Sequence, residues 1–193
     1  MSYYSITQFG KTLPKYKYTI DEKTKTFNSK SSNLVLDFYG LKGWTFITYN
    51  DCTFITGSDC IFKTGKNCTF KTSNNCTFKT GWYCTFKTGD NCIFHTGSEC
   101  TFKTGWYCTF KTRFFCSFNT ASGCTFKTEE NCTFITLENC KFNTLSNCTF
   151  AVLDISTCKF ENFNTFGTIL DIKDGKAYIL NQDLEQLLKF NKI

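Results

Sequence analysis

The chain has 193 residues, a formal net charge of +6, 14 Cys, 23 Phe and a single His. This length suits one domain or one elongated repeat body with small ends. No stretch approaches the roughly 18 apolar residues that a membrane-spanning helix needs, so no membrane contact is expected. The first residues lack the apolar core of a secretory signal, so we expect the Cys residues to stay reduced inside a cell.

Residues 1–35 precede the repeat and are predicted to form an N-terminal cap. The segment KYTIDEKTKTFNS alternates polar and apolar residues around a polar tip. It predicts a β-hairpin with residues 21–24 in the turn. Leu36 and Phe38 then extend the register of the following repeat backwards.

An eight-residue repeat fills the middle of the chain. Fourteen octads begin at Trp44, and their third residue is always Phe, from Phe46 to Phe150. The fifth residue is Thr in 13 of the 14 octads. After Phe150 the spacing changes, because Cys158 and Phe160 return ten residues later instead of eight. The first residue is Cys in every octad but the first, at positions 52, 60, 68, 76, 84, 92, 100, 108, 116, 124, 132, 140 and 148.

Each octad predicts one short strand and one corner. Cys-Thr-Phe-Lys-Thr alternates apolar and polar residues with period two, which is typical of a strand with one buried face. The other three positions are rich in Gly and Asn, which tolerate positive φ and favour a sharp turn. The fold class is therefore all-β, a parallel β-solenoid over residues 36–161.

The number of octads per coil has two solutions. Two octads give a flattened 16-residue coil, in which Phe and Cys from two facing strands fill a thin core between parallel sheets. Three octads give a triangular 24-residue coil, which would stack residues 81–83 on residues 105–107, both Gly-Trp-Tyr. The thin core favours 16 residues.

Residues 162–193 are predicted to form a C-terminal cap. TILDIKDGKAYIL indicates a hairpin with Asp174-Gly175 in its turn. A short amphipathic helix should follow, with Asp183 and Gln186 in a capping box. Caps protect the open strand edges of a solenoid from aggregation, and a cap could also serve self-association.

The repeat resembles octapeptide-repeat proteins of phages and large DNA viruses that are built on N-C-T-F-[KN]-T-G. The resemblance covers Leu36 to about Phe160, including the entry segment NLVLDFYGLKGWTFITYNDCTF, in which Trp44 replaces the first Cys. It implies a viral protein located in the host cytoplasm or the virion. It implies no particular activity.

The fourth residue of the octad points outward and is most often Lys, with His95 interrupting the series. In a 16-residue coil these side chains form one row on each sheet, and a basic row can bind a phosphate backbone. A solvated, solubilising face fits the same pattern, and acidic corner residues keep the net charge of the repeat low. The candidate polyanion-binding residues are Lys63, Lys71, Lys79, Lys87, Lys103, Lys111 and Lys127.

Aromatic residues at three corners are the second candidate surface. Exposed aromatic side chains at turns suggest a site for a partner, and packing against a cap is the alternative. The candidate partner-binding residues are Trp82, Tyr83, Trp106, Tyr107, Phe114 and Phe115.

No pattern in the sequence indicates catalysis, a metal site or a cofactor. The Cys residues lie on the apolar face without the short ligand spacings of metal sites, so they are predicted to be small core residues. Disulfides between stacked Cys remain the alternative, because stacked Cα atoms would lie within bridging distance. We therefore expect a non-enzymatic structural or protein-binding module, with nucleic-acid binding through the Lys rows as the alternative.

Overall fold

The computed structural model describes residues 4–145, 147–153, 157–161, 168–173 and 176–179. These residues contain 22 strands and one turn of 3-10 helix, Lys15–Lys17. Within the described ranges there is no helix of the length and apolarity needed to cross a membrane. The strands are, in chain order, β1 (Ser5–Gln8), β2 (Lys11–Thr12), β3 (Thr19–Asp21), β4 (Thr26–Asn28), β5 (Leu34–Phe38), β6 (Thr45–Ile47), β7 (Thr53–Thr56), β8 (Ile61–Lys63), β9 (Thr69–Lys71), β10 (Thr77–Lys79), β11 (Thr85–Lys87), β12 (Ile93–His95), β13 (Thr101–Lys103), β14 (Thr109–Lys111), β15 (Ser117–Asn119), β16 (Thr125–Lys127), β17 (Thr133–Thr136), β18 (Lys141–Asn143), β19 (Thr149–Val152), β20 (Lys159–Glu161), β21 (Thr168–Lys173) and β22 (Lys176–Ile179).

The strands form two sheets of a parallel β-solenoid, which confirms the predicted fold class. Sheet A has 12 strands, in the order β2-β1-β5-β7-β9-β11-β13-β15-β17-β19-β21-β22. Sheet B has ten, in the order β20-β18-β16-β14-β12-β10-β8-β6-β4-β3. Alternate strands pair, so Thr85 lies opposite Thr69 on one side and Thr101 on the other. The coil therefore has 16 residues, and the alternative of 24 is wrong.

Phe side chains fill the space between the two sheets. Within a sheet the rings stack face to face, as in Phe86 and Phe102, whose centroids are 4.8 Å apart at 3°. Rings from opposite sheets meet edge to face, as in Phe94 and Phe102 at 5.2 Å and 78°. Both geometries are favourable for aromatic pairs. The buried Cys side chains lie in the same core, and none of the 14 is in a disulfide.

The corners are tight turns whose last residue has a left-handed backbone. In 12 of the 13 octads that begin with Cys, the residue before that Cys has a φ between 55° and 62°, as at Asn67 and Asn91. The sequence explained the corner glycines by positive φ. This is wrong for glycines such as Gly89, which stands two positions before Asn91, because positive φ falls on the residue before Cys instead. The glycines make room: a Cβ on Gly89 would lie 1.8 Å from Oδ1 of Asn74 on the preceding coil.

That close contact is part of a hydrogen bond between coils. Oδ1 of Asn74 accepts from the backbone N–H of Asp90 at 3.0 Å, and Oδ1 of Asp90 accepts from that of Trp106 at 2.9 Å. Oδ1 of Asp90 also lies where a Cβ on Gly105 would be. An Asn or Asp at the middle position of a corner, such as Asn74 or Asp90, thus requires a Gly 15 residues later, at the first position of the corner on the next coil.

In the described residues, sheet A ends in a hairpin on both sides, β1-β2 and β21-β22, and sheet B ends in one on its N-terminal side, β3-β4. At the N-terminus β3 pairs antiparallel with β4, as the alternation predicts. Strand β4 also pairs in parallel with β6, so parallel stacking begins ahead of residue 36. At the other end β21 and β22 pair antiparallel. The residues of the predicted turn 174–175 and of the predicted helix with Asp183 and Gln186 lie outside the described residues.

Candidate interaction surfaces

The outward Lys residues form two rows, one on each sheet. On sheet A, Lys87 lies directly between Lys71 and Lys103. The row on sheet B runs Lys63, Lys79, His95, Lys111 and Lys127. Neighbours in a row are separated by the strand spacing of about 4.8 Å. Because all these side chains are exposed, their charges face solvent.

Charge is separated between the sheet faces and the corners. On the same outward face as the Lys rows, the second octad position carries Thr, Ser, Ile or Lys and no acidic residue. Between Trp44 and Cys148 the carboxylates all lie in the corners, at Asp51, Asp59, Asp90, Glu99, Glu129, Glu130 and Glu138.

The aromatic corners lie on two opposite edges of the solenoid. Edge I is defined by the corners that lead from sheet B to sheet A, and it carries residues 82–83 and 114–115. Edge II is defined by the corners that lead from sheet A to sheet B, and it carries residues 106–107. The assignment follows from the strands that each corner joins, β10 to β11, β14 to β15 and β13 to β14. The six aromatic residues therefore do not form one surface.

On edge I, two aromatic corners flank a small one. The corners at residues 82–83 and 114–115 belong to coils separated by one coil, whose corner is Ser98-Glu99. Backbone hydrogen bonds join the three, from Tyr83 N–H to Ser98 O and from Glu99 N–H to Phe114 O, both 3.1 Å. Two coil spacings amount to roughly 10 Å. This arrangement places one aromatic pair one coil before Glu99 and a second aromatic pair one coil after it.

Three consecutive coils of edge I have unfavourable residues at the left-handed position. Tyr83, Glu99 and Phe115 have φ of 58°, 56° and 57°. Elsewhere on edge I this position holds Asp51, Asn67, Asn131 and Asn147. Asn and Asp tolerate left-handed backbone, whereas other L-residues lose about 1 kcal/mol or more there. Edge II has one such residue, Tyr107, so three of the four strained octad corners lie in one stretch of edge I.

The aromatic side chains of edge I lie on the surface and cover small residues. Trp82 and Phe115 are 52% and 58% exposed, whereas Ser98 is 3% exposed. The Trp82 ring lies over Gly97, since a Cβ there would be 1.9 Å from Trp82 Cδ1. The hydrogen bond to the Glu99 carboxylate, and then its charge, raise the pKa of the Tyr83 hydroxyl.

The Cys residues form two buried ladders, one along each sheet. Their Sγ atoms contact backbone carbonyls two residues earlier, such as Cys60 Sγ to Ser58 O at 3.3 Å. The side-chain hydrogen bond to Cys68, and then burial, raise the pKa of Cys52. Among the described residues, no group of three or more His, Cys, Asp or Glu side chains is arranged to hold a metal ion.

Comparisons with protein-family models, with curated proteins and with solved structures find no match to this chain. The candidate surfaces therefore depend on the geometry of the chain itself. Sequence reasoning missed Glu99 and Ser98 as members of the aromatic edge. Their signal is present in the repeat, because Glu99 stands at a position that other octads fill mostly with Asn or Asp.

Proposed function

We propose that the chain is a non-enzymatic protein-interaction module, in which a rigid solenoid presents a binding surface on edge I. The supporting observation is the run of Tyr83, Glu99 and Phe115 at left-handed positions on three consecutive coils. Strain that is concentrated in exposed residues is a feature of functional sites. The core beneath is complete without these side chains, because the Phe stacks continue through the same coils.

A viral origin, with location in the host cytoplasm or the virion, belongs to the same proposal. It is supported only by the resemblance of the octads to repeat proteins of phages and large DNA viruses. The interaction proposal does not depend on it.

Photo-crosslinking in the cells that make the protein tests the interaction. p-Benzoylphenylalanine is placed at Phe115 on edge I or, as a control, at Thr101, an exposed residue on sheet A. We expect a discrete adduct with one partner from position 115 and none from position 101. Equal adducts from both positions, or none from position 115, would overturn the proposal.

Binding of a polyanion to the Lys rows is a second candidate function. The observation that favours it is the separation of charge, with Lys on both sheet faces and the carboxylates in the corners. Rows of Lys at strand spacing can neutralise successive phosphates of a nucleic acid and release counterions. Their mutual repulsion is unfavourable for folding alone.

A salt series with labelled single- and double-stranded DNA and RNA tests this candidate. We expect binding that weakens steeply with salt and is lost when Lys71, Lys87 and Lys103 are changed to Gln. Changing the exposed Lys11, Lys15 and Lys17 to Gln removes the same charge from the N-terminal cap and is the matched control. Absence of binding at low salt, or equal loss in both triple variants, would reject the Lys rows as a binding site.

A further inference from the structure

We propose that edge I binds an arginine side chain of the partner protein, with Glu99 as its anion and the surrounding aromatic rings as its walls. This inference rests on the proposed function of edge I and names the chemistry of its ligand. The residues that carry it are Trp82, Tyr83, Glu99, Phe114 and Phe115.

Glu99 is the only carboxylate that stands between aromatic residues in the described part of edge I. Tyr83 precedes it by one coil and Phe115 follows it by one coil, each about 4.8 Å along the axis. Glu99 is exposed, and its carboxylate lies close enough to the Tyr83 hydroxyl to raise the pKa of that group. A carboxylate can accept about four hydrogen bonds, so this one has capacity for two from a ligand.

The aromatic rings provide a surface that suits a flat cation. Trp82 and Tyr83 are about half exposed, and the rings of Phe114 and Phe115 lie edge to face at 5.9 Å. The Ser98-Glu99 corner between the two aromatic pairs is recessed at Ser98, because that side chain is buried. A cation near the faces of such rings is attracted by their electron density.

Arginine matches this combination better than other ligands. Its guanidinium is planar, stacks on aromatic rings and donates two parallel hydrogen bonds to one carboxylate. An anion would be repelled by Glu99. On this edge Arg113 lies one coil from Glu99, and Lys66, Glu129 and Glu130 lie two coils away.

Edge II contains a natural control with the same Gly-Trp-Tyr sequence. The backbone N–H of Trp106 is bound by Asp90 Oδ1, and the Tyr107 ring lies over Gly123. The corner two coils further on is Glu138-Asn139 instead of a second aromatic pair. Trp106 thus has the same local sequence as Trp82 without the surrounding rings.

NMR of the ¹⁵N-labelled full chain tests the inference through its indole N–H signals. The probes are Nα-acetyl-L-arginine amide, the lysine equivalent, and the uncharged citrulline equivalent, at matched ionic strength. We expect a saturable shift of Trp82 with the arginine probe and at least fivefold weaker binding of the lysine probe. The citrulline probe and the signal of Trp106 should show no saturable change.

Two variants at one position complete the test. Glu99→Gln keeps the size of the side chain, and Glu99→Asn relieves the left-handed strain; both should weaken arginine binding at least fivefold. Unchanged signals of Trp44 and Trp106 show that each variant is folded. Equal shifts of Trp82 and Trp106, or wild-type binding by Glu99→Gln, would overturn the inference. If the cross-link at position 115 persists in that case, the proposed function stands and only the arginine ligand is wrong.

Discussion

Asn91 and Tyr83 take the same backbone conformation at equivalent points of neighbouring corners, with φ of 55° and 58°. Each backbone N–H donates to the corner of the next coil, Asn91 to Trp106 O and Tyr83 to Ser98 O. The regular corner holds a residue that suits this conformation, and the aromatic corner holds one that does not. Coil geometry therefore determines the backbone of a corner but not the identity of its exposed side chain.

The core beneath the two kinds of corner should contribute equally to stability. Phe86 belongs to the octad that ends at Asn91, Phe94 to the octad that ends at Glu99, and both are fully buried. Changing either to Ala should reduce the free energy of unfolding by about 3–5 kcal/mol. Denaturant titration of both variants measures this. A much smaller loss for Phe94→Ala would mean that aromatic residues of edge I support the fold locally.

The regular corners should depend on their glycines because of the Asn contact. Gly89→Ala should reduce the free energy of unfolding by about 1–3 kcal/mol, since the new Cβ collides with Asn74 Oδ1. In an Asn74→Ser background the same change should be less harmful, and thermal unfolding of the four proteins measures the difference. An equal loss in both backgrounds would contradict this origin of the glycine requirement.

Substitutions at the left-handed position should change the free energy of unfolding in opposite directions in the two kinds of corner. Asn91→Tyr should reduce the free energy of unfolding by about 1 kcal/mol, because Asn tolerates this backbone better. Tyr107→Asn on edge II should increase it by a similar amount. Unfolding midpoints in denaturant report both changes. A loss of stability in Tyr107→Asn would show that its ring packs usefully over Gly123.

Substitutions on the sheet faces should change the stability of the fold least. Changing Lys71, Lys87 and Lys103 to Gln should stabilise the fold by roughly 0.5 kcal/mol at low salt, since like charges directly opposite repel. The gain should disappear at 1 M salt, where screening acts within about 3 Å. Thermal unfolding at both salt concentrations measures it. A gain that persists at high salt would mean that the effect is not electrostatic.

Much of the fold follows from the octad itself. Alternation predicts the strands, and a thin core filled by one Phe and one Cys per strand favours 16 residues per coil over 24. The reason for the corner glycines could not be found locally, because Gly89 is constrained by Asn74, a residue 15 positions earlier. The contact becomes predictable only when the coil length is known.

The residues of the candidate surfaces could be predicted from the sequence, but their placement relative to one another could be predicted only in part. The Lys rows followed directly from a 16-residue coil. The aromatic residues were recognised, yet their division between edge I and edge II depends on which sheet each octad joins. Glu99 was visible only as a corner acid, since its aromatic neighbours Tyr83 and Phe115 are each 16 residues away.

The central claim is that the aromatic residues of edge I are present for binding and not for folding. The most direct test is the denaturant midpoint of the double variant Tyr83→Asn, Phe115→Asn against that of the wild type. The account predicts a higher midpoint, with a gain of about 1 kcal/mol or more at each position from relief of left-handed strain. A lower midpoint would contradict the account, because it would show that these rings stabilise the solenoid.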